Sequence, residues 1–306
     1  MGKPRVAFVG SGGAAKGVAH LGVLRALEEL DVDVDIFIGA STGALIGGFY
    51  LQGYRADDMV DWFRPRFQRR SKKPRLPLRA FVGGPNGEQL RSPGYLASGV
   101  LSIDRLEKKL RELLPNNDFR NLHRSLLVSA ADIDGRGRTV FGPGHRDDVP
   151  ISEAVAASCA MPGLYRAYRI GSRYLVDGEI VRTLSIDLAV EAGADVIIVS
   201  NVYRPQVMRP GGRSLVHSGL LAVGRQTMNI VLSEKEKRGI DLIHRLYPHV
   251  QVLNVSAELG RYSFTSPLGV RPMLTRSYRE ALRILAAAKR RGVFDVASNV
   301  HTVGQA

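Results

Sequence analysis

Cysteine and tryptophan are almost absent from this chain: of 306 residues one is cysteine, Cys159, and one is tryptophan, Trp62. A lone cysteine excludes an intramolecular disulfide and any thiolate metal cluster. No spacing of His, Asp and Glu suggests a metal either, and no cofactor is expected. Long uncharged runs are also scarce. Residues 36–54 carry no charge, but they include five glycines together with Ser41, Thr42 and Gln52. That is a poor composition for a lipid-facing helix, and a buried strand, turn and helix account for it better. A signal-peptide pattern is missing, because Lys3 and Arg5 precede only a short apolar strand and a Gly-rich turn. The chain therefore reads as soluble and cytoplasmic. Acidic residues are in deficit, 29 against 43 Lys plus Arg, for a formal net charge of +14. The excess favours encounter with anionic surfaces, nucleic acid or acidic lipid, although a basic proteome produces the same excess with no partner.

What is present is ordinary for a folded protein: 44% hydrophobic and 24% charged residues, in a chain long enough for one large α/β domain. Residues 5–9 form a short apolar run that predicts a buried strand. A helical spacing follows at Val18, Leu21, Val23, Leu24, Leu27 and Leu30. A second strand is expected at 34–38 and a second, small-residue helix at 43–51. This alternation predicts a mostly parallel central sheet with helices on both faces, a single three-layer domain. Further strands are expected at 125–133, near 139–141, on either side of Gly171-Ser172, at 196–199 and at 250–255. Helices are expected at 106–114, 152–158, 186–192, through much of 214–246, and at 275–291. The pattern lapses between 62 and 101, where Arg64, Arg66, Arg69, Arg70, Lys72, Lys73, Arg75 and Arg79 crowd together with Pro65, Pro74 and Pro77. That composition predicts an extended or mobile basic insertion. With Trp62, Phe63 and Phe67 nearby, it reads equally as a contact for an anionic membrane or as a solvated loop. The aromatics are not interleaved as in a nucleic-acid module, so no nucleic acid is expected.

Three segments carry chemistry. The loop Gly10-Ser11-Gly12-Gly13-Ala14-Ala15-Lys16-Gly17 joins the first strand to the first helix. A phosphate loop needs Gly before the Lys and Ser or Thr after it, and Lys16 has neither. A dinucleotide fingerprint fits Gly10, Gly12 and Ala15 loosely but lacks an acidic residue closing the second strand. Consecutive glycines at a helix N-terminus also turn backbone N–H groups toward one point, which suits an oxyanion, and a plain tight turn is the bland alternative. The second segment is Gly39-Ala40-Ser41-Thr42-Gly43. Gly-x-Ser-x-Gly is weak alone, but a preceding strand and a following helix give it the context of a nucleophile elbow. The third is Asp177-Gly178, at the end of a strand. Among candidate bases Asp177 has a better setting than His123, His145, His217, His244, His249 or His301, while His20 reads as a packing or capping residue. In isolation Asp177-Gly178 is also an ordinary turn.

Taken together the three segments resemble the patatin-like phospholipases, which use a Ser–Asp dyad without histidine. The loop corresponds to Gly12, Gly13, Ala14, Ala15, Lys16 and Gly17, the elbow to Gly39, Ser41 and Gly43, and the acid to Asp177 with Gly178. Ala157-Ser158, with Pro162 four residues on, resembles the family's Ala-Ser-x-x-x-Pro block. The resemblance covers residues 5–60 and 125–203, whereas 62–124 and 204–306, the latter a C-terminal helical part, carry little of it. It implies a patatin-like fold, a lipid or acyl-ester substrate, Ser41 as nucleophile, Asp177 as base, and an oxyanion hole at Gly12, Gly13 and Ala14. Lys16, Gly17, Gly39, Gly43 and Gly178 would support these. Two departures stand out: Ala14 in place of a third glycine, and Glu179 with Arg182-Thr183-Leu184 after the aspartate. They motivate the alternative of a catalytically silent lipid- or partner-binding protein. Oligomeric state is not legible.

Overall fold

The structure is a computed structural model that describes residues 2–63, 70–181, 184–203, 214–259 and 270–295. Its strands are β1 (Val6–Gly10), β2 (Ile36–Gly39), β3 (Gly99–Leu101), β4 (Ser125–Asp132), β5 (Gly137–Phe141), β6 (Gly163–Tyr165), β7 (Tyr168–Ile170), β8 (Arg173–Asp177), β9 (Val196–Ser200) and β10 (Gln251–Asn254). Its helices are α1 (Val18–Glu29), α2 (Thr42–Tyr50), α3 (Ala56–Val60), α4 (Gly87–Arg91), α5 (Pro93–Ala97), α6 (Asp104–Leu113), α7 (Ile151–Ser158), α8 (Ile186–Glu191), α9 (Leu220–Leu246) and α10 (Val270–Arg290).

Side-chain alternation along the buried strands builds the layers. In β1, Val6 and Phe8 enter the core beneath α1, α2, α7 and α10, while Ala7 and Val9 enter a second core beneath α8. β9 repeats this, with Val196 and Ile198 on the first face and Ile197 and Val199 on the second. Strands covered on both faces have no polar side, which is why they read as unbroken apolar runs. The sheet has eight strands in the order β10-β9-β1-β2-β4-β8-β7, with β5 also paired to β4. Pairing from β10 through β4 is parallel, and β5, β8 and β7 add antiparallel ladders. The expected α/β architecture, a mostly parallel sheet between helical layers, is the one observed.

The basic segment carries local structure where it is described. Among its described residues, 70–101 carry a 3₁₀ turn (Leu78–Phe81), α4, α5 and β3, and β3 pairs with β6. Two of its backbone N–H groups, those of Arg70 and Ser71, donate to the buried Asp61 carboxylate. Leu76 and Ala80 are buried. Local charge and proline density concealed these anchors, which come from residues on both sides of the segment. Trp62 is a core residue, edge-on to Phe49 with ring centroids 4.9 Å apart. Arg64, Arg66, Phe67 and Arg69 lie outside the described residues. Among the described residues no helix is long and apolar enough to cross a membrane, and no group of three His, Cys, Asp or Glu could hold a metal ion.

Candidate active site

β1 and β2 are adjacent and parallel, with Gly10 opposite Gly39, so their C-terminal loops lie side by side. The elbow turns abruptly from β2 into α2. Ser41 has φ 51° and ψ −120°, a conformation that side chains rarely adopt. Such strain at a buried serine persists only where the surroundings enforce it. Two glycines do so by close approach: a Cβ on Gly39 would sit 2.3 Å from Ala44 N, and one on Gly43 would sit 2.2 Å from Gly10 O. The Ser41 N–H donates to Ser158 Oγ at 2.7 Å, and that hydroxyl donates to Ser129 O at 2.7 Å. Ser158 ends α7, so the Ala-Ser block holds the elbow from behind.

Asp177 ends β8, where Ala130 of β4 is its neighbour in the ladder. Its N–H donates to Ala160 O, and its Oδ1 accepts the Glu179 N–H at 3.0 Å, the hydrogen bond of an Asp N-cap on the 3₁₀ turn Gly178–Ile180. Gly178 packs against β4, since a Cβ there would lie 2.3 Å from Ser129 O. The Ser41 hydroxyl lies near enough to the Asp177 carboxyl to favour its ionised form. Burial raises Asp177 to about 6, opposed by the Glu179 N–H and by the nearby Ser41 hydroxyl. The Cys159 thiol is pushed up by burial and by the Asp177 charge, with the nearby Ser41 hydroxyl opposing.

The glycine loop packs on both segments. Thr42 Oγ1 donates to Ala14 O at 3.1 Å, and a Cβ on Gly17 would lie 2.1 Å from Thr42 Cγ2. Gly13 has φ 143°, and Ala14 has φ 48°, where glycine would be unstrained. Lys16 is buried, and its N–H donates to Gly13 O at 3.0 Å. Gly12 N–H is taken: it donates to Glu179 Oε1 at 2.9 Å. His20 lies under the loop, with Nε2 2.8 Å from Ser11 O and Nδ1 2.7 Å from Ser200 Oγ, and burial lowers it to about 4. Among the described residues no histidine hydrogen-bonds Ser41 or Asp177. His123, His145, His217 and His244 are exposed, His249 is half-buried, and His301 lies outside the described residues.

All ten residues singled out in the sequence thus lie in three segments that touch at one end of the sheet. Arg182 and Thr183 lie outside the described residues. Sequence reasoning missed the reach of Glu179 across to Gly12, and it missed Tyr203, just beyond β9. A Cβ on Gly12 would lie 2.9 Å from the Tyr203 hydroxyl. Burial and the charges of Asp177 and Glu179 raise Tyr203 well above the usual tyrosine range. The Glu179 substitution was visible as a departure from the family pattern. Tyr203 gave no local signal, because only β9 pairing beside β1 brings it here.

The fold and site define an α/β protein with a strained serine at a strand–helix elbow beside a buried aspartate. The patatin-like phospholipase family model matches residues 8–190, and the chain belongs to that family. An uncharacterized NTE family protein of Mycobacterium tuberculosis is 28% identical over 195 residues, covering 64% of this chain and 48% of that one. The chain thus spans about half the length of that relative. A lysophospholipase of Emericella nidulans is 56% identical over 45 residues, which are 15% of this chain and 3% of that one. Among solved structures, VipD from Legionella pneumophila matches with a TM-score of 0.48 and 16% identity, covering 94% of this chain and 67% of that one.

Proposed function

We propose that the chain is a serine lipid acyl hydrolase, of the phospholipase A, lysophospholipase or esterase type, working through a Ser41–Asp177 dyad. The observation that carries this reading is the strained Ser41 elbow beside the buried Asp177, whose carboxyl feels the Ser41 hydroxyl closely enough for it to oppose the effect of burial. Family membership supports a lipid substrate. Asp177 accepts the Ser41 proton as Oγ attacks the ester carbonyl, and the helix N-terminus at Thr42 favours the charge that develops. Backbone N–H groups of Gly13 and Ala14 face the oxyanion. Collapse expels the alcohol, which takes the proton from Asp177, and an acyl-enzyme remains. Water that gives its proton to Asp177 then releases the fatty acid.

Residues 1–306 act as one patatin-like domain in this reading. Peripheral contact with anionic lipid through residues 64–79 belongs to the same proposal and draws support from the exposed Lys72 and Arg79. Hydrolysis of a short-chain p-nitrophenyl ester tests the function. Ser41→Ala and Asp177→Asn should each lower kcat by at least about 10³-fold, while single His→Ala variants at the exposed positions keep most activity. Turnover retained in Ser41→Ala contradicts the assignment. A wild type without turnover on any ester favours the silent lipid- or partner-binding protein.

A further inference from the structure

Arg166, just past β6, is a buried cation that the proposed reaction does not use. It is only 6% exposed. Its Nε donates to Leu96 O at 2.8 Å, while Nη1 is buried with no hydrogen-bond partner. Among the described residues no carboxylate pairs with it. Nη2 engages no partner either and is not enclosed, so the guanidinium opens to the surface through that nitrogen. A buried charge without a counter-ion is costly. A planar fork with two unengaged nitrogens matches the oxygens of a phosphate.

The segment that carries Arg166 also holds both dyad residues. Ser158 Oγ accepts the Ser41 N–H at 2.7 Å, and Ala160 O accepts the Asp177 N–H at 3.0 Å. The chain then closes a turn, Tyr165 N–H to Met161 O at 2.9 Å, and β6 pairs in parallel with β3. The Arg166 N–H extends that ladder to Leu101 O at 2.9 Å. Register puts Val100 beside Leu164, and alternation sends both away from Tyr165, whose hydroxyl donates to Phe81 O. By the same alternation Arg166 leaves the ladder on the Leu164 side. Val100, Leu164 and the neighbouring Met161 are exposed. An apolar surface thus borders an unpaired guanidinium, on the segment that fixes Ser41 and Asp177.

We propose that Arg166 is a specificity-determining residue that receives the phosphate of an anionic amphiphile, with Val100, Met161 and Leu164 beneath its apolar part. The inference rests on the Ser41–Asp177 reading for the place of the ester, and not for the anion itself. The preferred substrate is then an acyl ester whose alcohol carries a phosphate a few bonds away, over the neutral ester of the same chain. A guanidinium alone suits free phosphate equally. The apolar border is what favours phosphate attached to a lipid.

The test pairs substrate preference with a binding readout that needs no turnover. The first arm compares kcat/KM for a monoacylglycerol and for its phosphate ester in wild type, Arg166→Gln and Arg166→Lys. Wild type should prefer the phosphorylated lipid by about tenfold or more, as hydrogen bonds to a charged group allow. Arg166→Gln keeps a donor for Leu96 O without the charge, and should abolish the preference. Arg166→Lys keeps the charge without the fork, and should retain part of it. A merely structural defect lowers both constants and leaves their ratio unmoved. The second arm follows thermal melts with hexyl phosphate, inorganic phosphate and hexanol. Hexyl phosphate should raise the wild-type melting temperature more than the other two, and Arg166→Gln should lose that shift. No preference in wild type, or a preference or shift that survives in Arg166→Gln, would overturn the proposal. Should Arg166→Gln not fold, an undiminished ratio in Arg166→Lys would do the same. An inorganic phosphate shift as large as that of hexyl phosphate would make this a site for free phosphate, and would overturn the head-group assignment. A wild type that hydrolyses no ester overturns the hydrolase reading, whereas an Arg166-dependent hexyl phosphate shift in that protein still supports the anion site.

Discussion

At the scale of single residues, Asp177 couples activity to stability. Its folded value is raised to about 6, against an unfolded value near the ordinary 3.8. The proton bound in the folded state therefore favours folding below about pH 4, and that contribution is lost as pH rises through about 6. The two-unit difference corresponds to roughly 3 kcal/mol. Ionised Asp177 is also the form that accepts the Ser41 proton, so kcat should rise over the same interval. Asp177→Asn is predicted to melt higher than wild type at pH 8, with the gain vanishing at pH 4, while activity is lost throughout. Thermal melts at the two pH values check this, and an equal shift at both contradicts it. Ala14 adds a second residue-scale prediction. Its φ of 48° costs a side chain about 1–2 kcal/mol relative to an unstrained turn. Ala14→Gly should therefore raise stability by about 1 kcal/mol in denaturant titration with the hydrolytic rate preserved.

At the scale of elements, the elbow depends on α7 as much as on β2 and α2. Ser158 is the buried acceptor for the Ser41 N–H and itself donates to β4. Ser158→Ala leaves two buried groups without a partner, at about 1–3 kcal/mol each. It should lower kcat more than KM rises, because the serine is displaced and not the binding surface. The steady-state constants show the split, and a pure KM effect would contradict the positioning role. This element was partly legible in advance: Ala157-Ser158 stood out as a motif, but nothing local announced that the hydroxyl caps the nucleophile. β1, β2, α1 and α2 were read correctly because each strand is buried on both faces and each helix keeps its apolar spacing. In the segment after Trp62, the described residues 70–101 hold short elements that composition did not show, because the contacts that hold them, the Asp61 carboxylate and the β3–β6 pair, involve residues outside the segment.

At the scale of the whole molecule, the charge of +14 and the exposed basic residues set expectations for surfaces and not for the fold. Trp62 had counted toward a membrane contact, and its burial transfers it to the core. Trp62→Ala should cost about 3–5 kcal/mol of stability, as large-to-small core changes do, and leave liposome sedimentation of the folded fraction unchanged. Reduced sedimentation at equal foldedness would return Trp62 to the lipid surface. The candidate site followed the same logic of reach. Ser41, Asp177 and the glycines were legible because their motifs are local, whereas Tyr203 and the Glu179–Gly12 bond exist only once β9, β1 and β8 share one sheet.

Covalent labelling with a fluorophosphonate, mapped by peptide mass and followed against pH, tests the dyad most directly. One adduct on Ser41 is predicted, forming at a rate that rises through about pH 6 as Asp177 ionises and falls at least about 10³-fold in Asp177→Asn. An adduct on another residue, or an Asp177→Asn variant labelled as fast as wild type, would contradict the Ser41–Asp177 account.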